Sequence, residues 1–251
     1  MKKQNIALLL SAAMMVTALS ACGGPKSNGS GSDDANTSRA DNNEIAVGIA
    51  QDLGDSLDPY QMTAAGTREI LFNVYEGLYK PTSSGDFAPA LAESYAVSED
   101  GLQYTFTIRD GVQFHNGTAM DVDDVVYSFN TCAATTVDSS LAAALSNVVS
   151  VEATGEQTVT ITLSAPNSDF LAYVASVYIV PDDYTDQATA PVGTGPFMYV
   201  SRSVQENIIF DKFDGYWGEA AKVDRVTFKI YEDSSAMMTA LNGGAVDIVT
   251  H

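Results

Sequence analysis

The stretch from Ala88 to Asn130 constrains the fold of this 251-residue chain more than any other segment. In its middle, apolar side chains alternate with threonines, which predicts a half-buried strand built on Tyr104, Phe106 and Ile108. Tight turns are predicted at 109–111 and 116–117, where Asp-Gly and Asn-Gly pairs stand, with a second short strand, 112–114, between them.

A helix start follows the second turn. Asp121 stands where an N-cap belongs, with Asp124 three residues later, and both carboxylates suit the positive end of the helix dipole. Behind them, apolar residues recur at helical spacing, namely Val122, Val125, Val126 and Phe129. Cys132 continues this face, so we predict that its thiol is buried and unreactive.

The order of short sequence motifs in and after this segment points to a family. Four motifs stand in a fixed order: Leu91–Ser94, Ser98–Gly101, Thr105–Val112 and Phe114–Gly117. Four more follow downstream: Pro191–Phe197, Tyr216–Gly218, Val226–Phe228 and Ala240–Ile248. Together the set resembles the extracellular solute-binding proteins of family 5, which serve peptide and nickel ABC importers. The resemblance covers the chain from about Glu44 to its end.

The resemblance implies a fold class and a domain organisation. The fold is expected to be α/β (mixed α+β), a lobe of the type II periplasmic-binding-protein class, which agrees with the mixture of strand and helix patterns. Residues 44–60 and 187–251 would form the split core of the first lobe, and 61–186 an inserted subdomain. The family chain then crosses to a second lobe. This sequence stops at His251, so we expect a truncated chain with the second lobe missing.

Further elements are predicted from periodicity alone. Ile70 to Leu78 shows an apolar helical face of about three turns. Ser234–Ser235 is expected to cap a helix that ends at Gly243. Short helices are expected at 141–145 and 170–175. Strands are expected at 45–49, 148–152, 159–163, 197–199, 208–210, 226–230 and 246–249.

The N-terminus has the pattern of a lipoprotein signal. Residues 1–21 combine two lysines, a short apolar stretch and small residues before Cys22, a sequence that resembles a lipobox. We predict cleavage before Cys22 and a diacylglycerol on its thiol; the alternative is an ordinary secretory signal with an incidental cysteine. Residues 22–43 are rich in Gly, Ser, Asn and Asp, as a flexible tether should be. The expected location is the cell envelope, on the outer face of the cytoplasmic membrane or in the periplasm.

Composition and motifs exclude several functions. The net charge of −20 argues against a nucleic-acid partner. His115 and His251 are the only histidines, and no His/Cys cluster has metal-ligand spacing, so neither catalysis, a metal nor a cofactor is expected. We interpret His115 as a structural turn residue and Gly193–Pro196 as a structural turn near the hinge. Trp217, the sole tryptophan, is expected to pack rather than stack on a ligand.

Candidate ligand contacts come from the resemblance. The loop after the first strand would face the cleft, and it supplies Ser56, Tyr60, Gln61 and Met62. The inserted subdomain would add residues near 138–142 and 177–179, among them Leu141 and Tyr178. Nickel-chelate binders of the family tend to carry Arg and Trp in those two regions, so the residues present here argue against nickel.

The leading hypothesis is a monomeric, lipid-anchored substrate-binding protein of an ABC importer for di- or oligopeptides. Its partners would be the peptide, the permease subunits and the membrane, and capture would occur by closure of two lobes. A peptide-pheromone or signalling receptor would share the lipobox and the fold and is the main alternative. A nickel-chelate or other small-solute binder and a secreted hydrolase are the remaining alternatives.

Overall fold

The computed structural model describes residues 39–135 and 139–250, with the side chains of 139 and 140 excluded. Its strands are β1 Glu44–Ile49, β2 Tyr79–Pro81, β3 Phe87–Pro89, β4 Ala92–Val97, β5 Gln103–Ile108, β6 Val148–Gly155, β7 Thr158–Leu163, β8 Phe197–Ser203, β9 Asn207–Lys212, β10 Arg225–Ile230 and β11 Ile248–Val249. Its helices are α1 Ala65–Leu71, α2 Val122–Ala134, α3 Ser139–Ala144, α4 Phe170–Val174 and α5 Ser234–Asn242.

The strands form two larger sheets and one hairpin-like pair. The first sheet has the order β11-β1-β10-β9-β8, with β1 parallel to both of its neighbours and β9 antiparallel to both of its own. The second has the order β4-β5-β7-β6 and is antiparallel throughout. Strands β2 and β3 pair with each other. This is a mixed α/β fold, as the sequence predicted.

One continuous apolar core runs beneath both sheets. Strand β5 shows how the sequence builds it, because its alternate residues Tyr104, Phe106 and Ile108 are buried while the threonines between them are half-buried. The strands expected at 148–152 and 159–163 are confirmed as β6 and β7, which pair with each other. Cys132 is 1% exposed and lies in the same core, which confirms its predicted burial.

Helix α2 begins as the sequence predicted. Asp121 accepts hydrogen bonds from the backbone N–H groups of Asp123 and Asp124 at 2.8 and 3.2 Å. One carboxylate oxygen of Asp124 accepts a hydrogen bond from the N–H of Asp121 at 2.9 Å, which completes a capping box. Its other oxygen accepts from the N–H of Asp182 at 3.0 Å, so the helix start is also tied to a distant loop. Burial raises the pKa of Asp124 to about 6.

Three local predictions were wrong. Residues 112–114 form no strand; a single bridge joins Gln113 to Ala119, between turns with left-handed glycines at 111 and 117. The N-cap of α5 is Asp233, which accepts from the N–H of Ala236 at 2.7 Å, rather than the serines that follow it. Helix α1 lies at Ala65–Leu71 and does not continue to residue 78.

The early end of α1 has a tertiary cause. The carbonyl of Asn73 accepts from the N–H of Phe197 at 3.1 Å, and that of Val74 accepts from Gly195 at 2.9 Å. A continuing helix would need these carbonyls for its own next turn. The chain instead passes through tighter turns and enters β2.

Residues 39–43, the last part of the predicted tether, contact the folded part of the chain. The guanidinium of Arg39 donates to the carbonyl of Gly244 at 2.7 Å and pairs with Asp247 at 3.2 Å. Predictions for residues 1–38, which include Cys22, lie outside the described residues, as do those for Asp138 and His251. Among the helices that the structure describes, none is long and apolar enough for a bilayer span. The split into residues 44–60, 61–186 and 187–251 stays a prediction.

Candidate ligand-binding site

Helix α1 lies between two clefts. We name the larger the Arg68 cleft; it has a volume of about 500 Å³, and its described lining residues are Thr63, Ala65, Arg68, Leu141, Ala144, Tyr173 and Ser176. These residues come from α1 and the loop before it, from α3, and from α4 and the residues after it. A cleft of this volume falls within the range of about 300–1,000 Å³ that small-ligand sites occupy.

The second cleft lies on the other side of α1, and we name it the Gln51 cleft. It has a volume of about 330 Å³ and is lined by Ile49, Ala50, Gln51, Gly66, Glu69, Ile70, Phe228 and Thr250. Residues 49–51 and 250 lie at the carboxyl ends of the parallel strands β1 and β11. Ligands of α/β sheets bind preferentially at this edge. The two clefts together form the candidate ligand-binding surface.

Arg68 is the one charged side chain among the described residues that line its cleft. Its guanidinium donates to the carbonyl of Met62 at 3.0 Å, which holds the side chain against the loop that precedes α1. Burial raises the pKa of Tyr178, and the positive charge of Arg68 opposes that rise. The positive charge of Arg68 is therefore close enough to Tyr178 to affect its ionisation.

The predicted contact residues do not lie in one place. Leu141 lines the Arg68 cleft. Tyr60 and Gln61 line a separate cleft of about 470 Å³ beside the end of α2. Tyr178 lines a pocket of about 120 Å³, where its ring stacks on Tyr75 at a centroid distance of 5.8 Å.

The predicted contact residues also differ in their hydrogen-bond partners and in their exposure to solvent. The hydroxyl of Tyr60 donates to the carbonyl of Tyr178 at 2.7 Å, so this ring joins the loop to the inserted segment. Ser56 is half-buried and accepts from the N–H of Asp58 at 3.2 Å. Gln61 is exposed, and its amide donates to Asp58 at 3.0 Å. Met62 is 1% exposed, and its side chain lies in the apolar core.

His115 has the geometry of a structural residue. Its Nδ1 accepts from the N–H of Gly193 at 3.3 Å, so its Nε2 carries the proton and donates to the carbonyl of Gly195 at 2.9 Å. Burial lowers the pKa of His115 to about 4, against the opposing effect of its bond to Gly195. The imidazole is thus neutral at pH 7 and fixes the 193–195 turn.

A buried carboxylate, that of Glu76, joins the predicted inserted subdomain, 61–186, to residues of the predicted core, 187–251. Glu76 is 8% exposed and accepts from the indole N–H of Trp217 at 2.7 Å, the hydroxyl of Tyr216 at 2.8 Å and that of Thr194 at 3.3 Å. Burial raises the pKa of Glu76, and these three donors oppose the rise. The guanidinium of Arg109 lies 4.4 Å from the centre of the Trp217 ring. Trp217 therefore packs against its own chain.

Two of these residues were not found from the sequence. Arg68 is the only Lys or Arg between residues 40 and 79. This isolated positive charge in an acidic chain was the signal that could have pointed to Arg68. Glu76 interrupts the apolar run Val74–Leu78, and this position in the sequence was the signal that could have indicated a buried charge. Across the described ranges, no three His, Cys, Asp or Glu side chains are grouped so that they could hold a metal ion.

Comparison with known sequences finds relatives among bacterial solute-binding proteins. The profile of the bacterial extracellular solute-binding proteins, family 5, matches residues 86–251. The nickel-binding periplasmic protein of Escherichia coli K12 is 29% identical over 185 residues, which cover 70% of this chain and 35% of that protein. The glutathione-binding protein GsiB of Pectobacterium atrosepticum is 32% identical over 199 residues, covering 75% and 38%.

Solved structures share the fold. DppA from Helicobacter pylori, in complex with the peptide STSA, matches 81% of this chain and 45% of its own at a TM-score of 0.75 and 29% identity. AgaA from A. tumefaciens R10, in complex with agropinic acid, matches 82% and 43% at a TM-score of 0.77 and 30% identity. The chain spans less than half the length of these relatives. From its profile match, its relatives and its fold, the chain belongs to the bacterial extracellular solute-binding proteins of family 5.

Proposed function

We propose that this chain is the ligand-binding lobe of the substrate-binding component of an ABC importer for di- or oligopeptides. The observation that carries the proposal is the likeness to DppA with its bound peptide over 81% of the chain. The GsiB relatives support the same class, because glutathione is itself a short peptide. The two clefts beside α1 are the proposed peptide-contacting surface.

The mechanism proposed for the whole protein is closure of two lobes around the ligand. Closure removes the peptide from water on all sides and presents one closed shape to the permease. The clefts described here would supply one side of that enclosure. Because affinity depends on how much of a ligand is buried and how well its polar groups are matched, one lobe should bind peptides weakly.

The test is a titration of the ¹⁵N-labelled 251-residue chain with trialanine, glutathione and the nickel–histidine complex. We expect trialanine to shift the amides of Ala65, Ala144 and Ser176, with a Kd weaker than about 1 μM. Glutathione should shift the same amides, whereas the nickel complex should not. Intensity loss or shifts at these amides with nickel–histidine alone would reject a peptide binder. Micromolar or tighter peptide binding would reject the weak capture expected of one lobe.

The gene neighbourhood separates transport from signalling. An adjacent permease and ATPase pair would support the importer. A peptide-pheromone receptor needs neither, so peptide binding without such genes would favour the receptor.

We further propose that Cys22 carries the lipid that holds the protein at the cell envelope. The support is the lipobox-like sequence before it and the polar residues after it. In a bacterium with signal peptidase II, mass spectrometry should find an N-terminal peptide that begins at Cys22 with a diacylglycerol on the thiol. Cys22→Ser should abolish both cleavage at this site and membrane association. An unmodified Cys22 in the wild-type chain would contradict the proposal.

A further inference from the structure

We propose that Arg202 is a positioning residue for ligand binding, because it fixes the loop that forms one wall of the Gln51 cleft. The inference rests on the proposed function, in which that cleft contacts the peptide, and it assigns a role to a side chain that does not itself line the cleft. Three observations carry it: a buried ion pair, two bonds to carbonyls of the loop, and a left-handed turn that binds the same carboxylate.

The ion pair joins the loop to the sheet. The loop follows β1, and its first residues, Ala50 and Gln51, line the cleft. Asp52 comes next, and its side chain is 6% exposed and pairs with the guanidinium of Arg202 at 3.0 Å. Arg202 lies on β8 and its side chain is 12% exposed. Loss of either partner would leave the other charge buried without compensation, so the pair resists separation of the loop from β8.

Arg202 also binds the main chain of the loop. Its Nη1 donates to the carbonyl of Gly54 at 2.9 Å, and its Nη2 donates to that of Leu53 at 2.8 Å. One guanidinium therefore contacts three consecutive residues, 52–54. Because its donors are fixed in one plane, these contacts restrict the path of the backbone, which the point charge of a lysine could not do equally well.

The turn between β8 and β9 holds the same carboxylate. Gln205 has a φ of 63°, a left-handed conformation that is uncommon for a residue other than glycine. Its backbone N–H donates to Oδ2 of Asp52 at 2.8 Å, while Oδ1 of Asp52 faces Arg202. Such a conformation persists where the surrounding contacts over-determine it. Both carboxylate oxygens of Asp52 are thus bound by β8 and the turn that follows it.

The other wall of the cleft is α1, and the loop is joined to it as well. The N–H of Gly54 donates to the hydroxyl of Thr67 at 2.9 Å. Thr67 is 1% exposed and follows Gly66, which lines the cleft together with Glu69 and Ile70. Neighbouring residues of the loop are therefore bound to β8 and to α1, and these bonds set the distance between the two walls. A cleft that is already ordered loses less conformational entropy when a ligand binds.

The test is a titration of the ¹⁵N-labelled 251-residue chain with trialanine, followed at the amides of Gln51, Gly66 and Thr250, which line the cleft. Arg202→Gln should raise the Kd at least about tenfold, because a freed loop must be ordered again when the ligand binds. It should also lower the ¹⁵N–¹H heteronuclear NOE of residues 50–53, which reports fast motion of the backbone.

Two further variants complete the test. Arg202→Lys keeps a positive charge for Asp52 but loses the planar fork, so its Kd should lie between those of Arg202→Gln and the wild type. It also decides the test if Arg202→Gln does not fold. Arg225→Gln is the matched control, since it removes a guanidinium that pairs with Asp211 at 2.6 Å at the amino end of β10, away from the cleft. This variant should bind trialanine as the wild type does. Amide dispersion and the Tm of each variant verify folding.

The outcomes distinguish this inference from the function on which it rests. Folded Arg202 variants that bind trialanine as the wild type does, or more weakly without added motion at 50–53, would overturn the positioning role and leave peptide binding intact. Equal losses of affinity in Arg202→Gln and Arg225→Gln would do the same, as would wild-type shifts confined to the Arg68 cleft. The absence of any shift in the wild type would reject peptide binding, and the role of Arg202 with it.

Discussion

Gly193→Ala is expected to destabilise the chain by about 3 kcal/mol or more, a large part of the stability of an ordinary domain. A Cβ at this position would lie 2.2 Å from the carbonyl oxygen of Val74 and 2.8 Å from Cδ1 of Tyr75. The first of these is backbone, so the clash cannot be relieved by a change of rotamer. The main chain must move, and the bonds between Gly193 and His115 are lost with it.

Urea unfolding followed by circular dichroism measures this effect, and Gly66→Ala is the matched control. A Cβ on Gly66 would meet no atom within 4 Å, and this residue lies inside α1. Alanine there should stabilise the chain by about 0.5–1 kcal/mol. Gly195→Ala should behave as Gly193→Ala does, because its Cβ would lie 2.4 Å from the carbonyl oxygen of Asn73. A Gly193→Ala chain within about 0.5 kcal/mol of the wild type would show that this contact is not rigid.

The elements predicted correctly are those whose signal is local. The alternation at Tyr104, Phe106 and Ile108 specifies β5 because each buried residue lies on one face of the strand. The Asp121–Asp124 pair specifies the start of α2 because the capping box closes within four residues. The family motifs added the fold class, since they fall on the turns and strands that build both sheets.

The errors arise where distant residues decide. Nothing local to 70–78 shows that Phe197 and Gly195 will bind the carbonyls of Asn73 and Val74, so the apolar helical face overstated the length of α1. Distant residues also decide where the candidate contacts lie. Met62 lies in the predicted loop but points into the core, while Arg68, one turn into α1, lines a cleft of about 500 Å³.

Glu76→Ala is expected to cost about 3 kcal/mol of unfolding free energy, because it leaves three donors without their acceptor in a site that water reaches poorly. Those donors belong to Trp217, Tyr216 and Thr194, whose part of the chain lies far from Glu76 in sequence. Trp217→Phe removes one donor and keeps an aromatic face for Arg109, so it should cost about 1–2 kcal/mol. Urea unfolding followed by circular dichroism compares the two. A Glu76→Ala chain as stable as the wild type would contradict this role.

The pH dependence of a second variant, Glu76→Gln, tests the buried charge itself. Burial raises the folded-state pKa of Glu76 above its ordinary value of 4.5, so the folded chain binds this proton more tightly than the unfolded chain does. The stability that the protonated carboxyl contributes is complete below pH 4.5 and is lost as the pH rises through the folded-state pKa. Glutamine cannot lose that proton. Glu76→Gln should therefore cost less at pH 8 than at pH 4.5.

Trp217 makes this comparison direct. It is the sole tryptophan and donates to Glu76, so its fluorescence reports both unfolding and ionisation at this site. The difference in unfolding free energy between wild type and Glu76→Gln, taken at each pH, cancels the titration of groups that lie far from the site, since distant effects add. A constant difference would mean that the Trp217, Tyr216 and Thr194 donors balance the cost of burying the carboxylate, and a difference that grows with pH would mean that they outweigh it. In the second case the folded chain would favour the ionised form of Glu76.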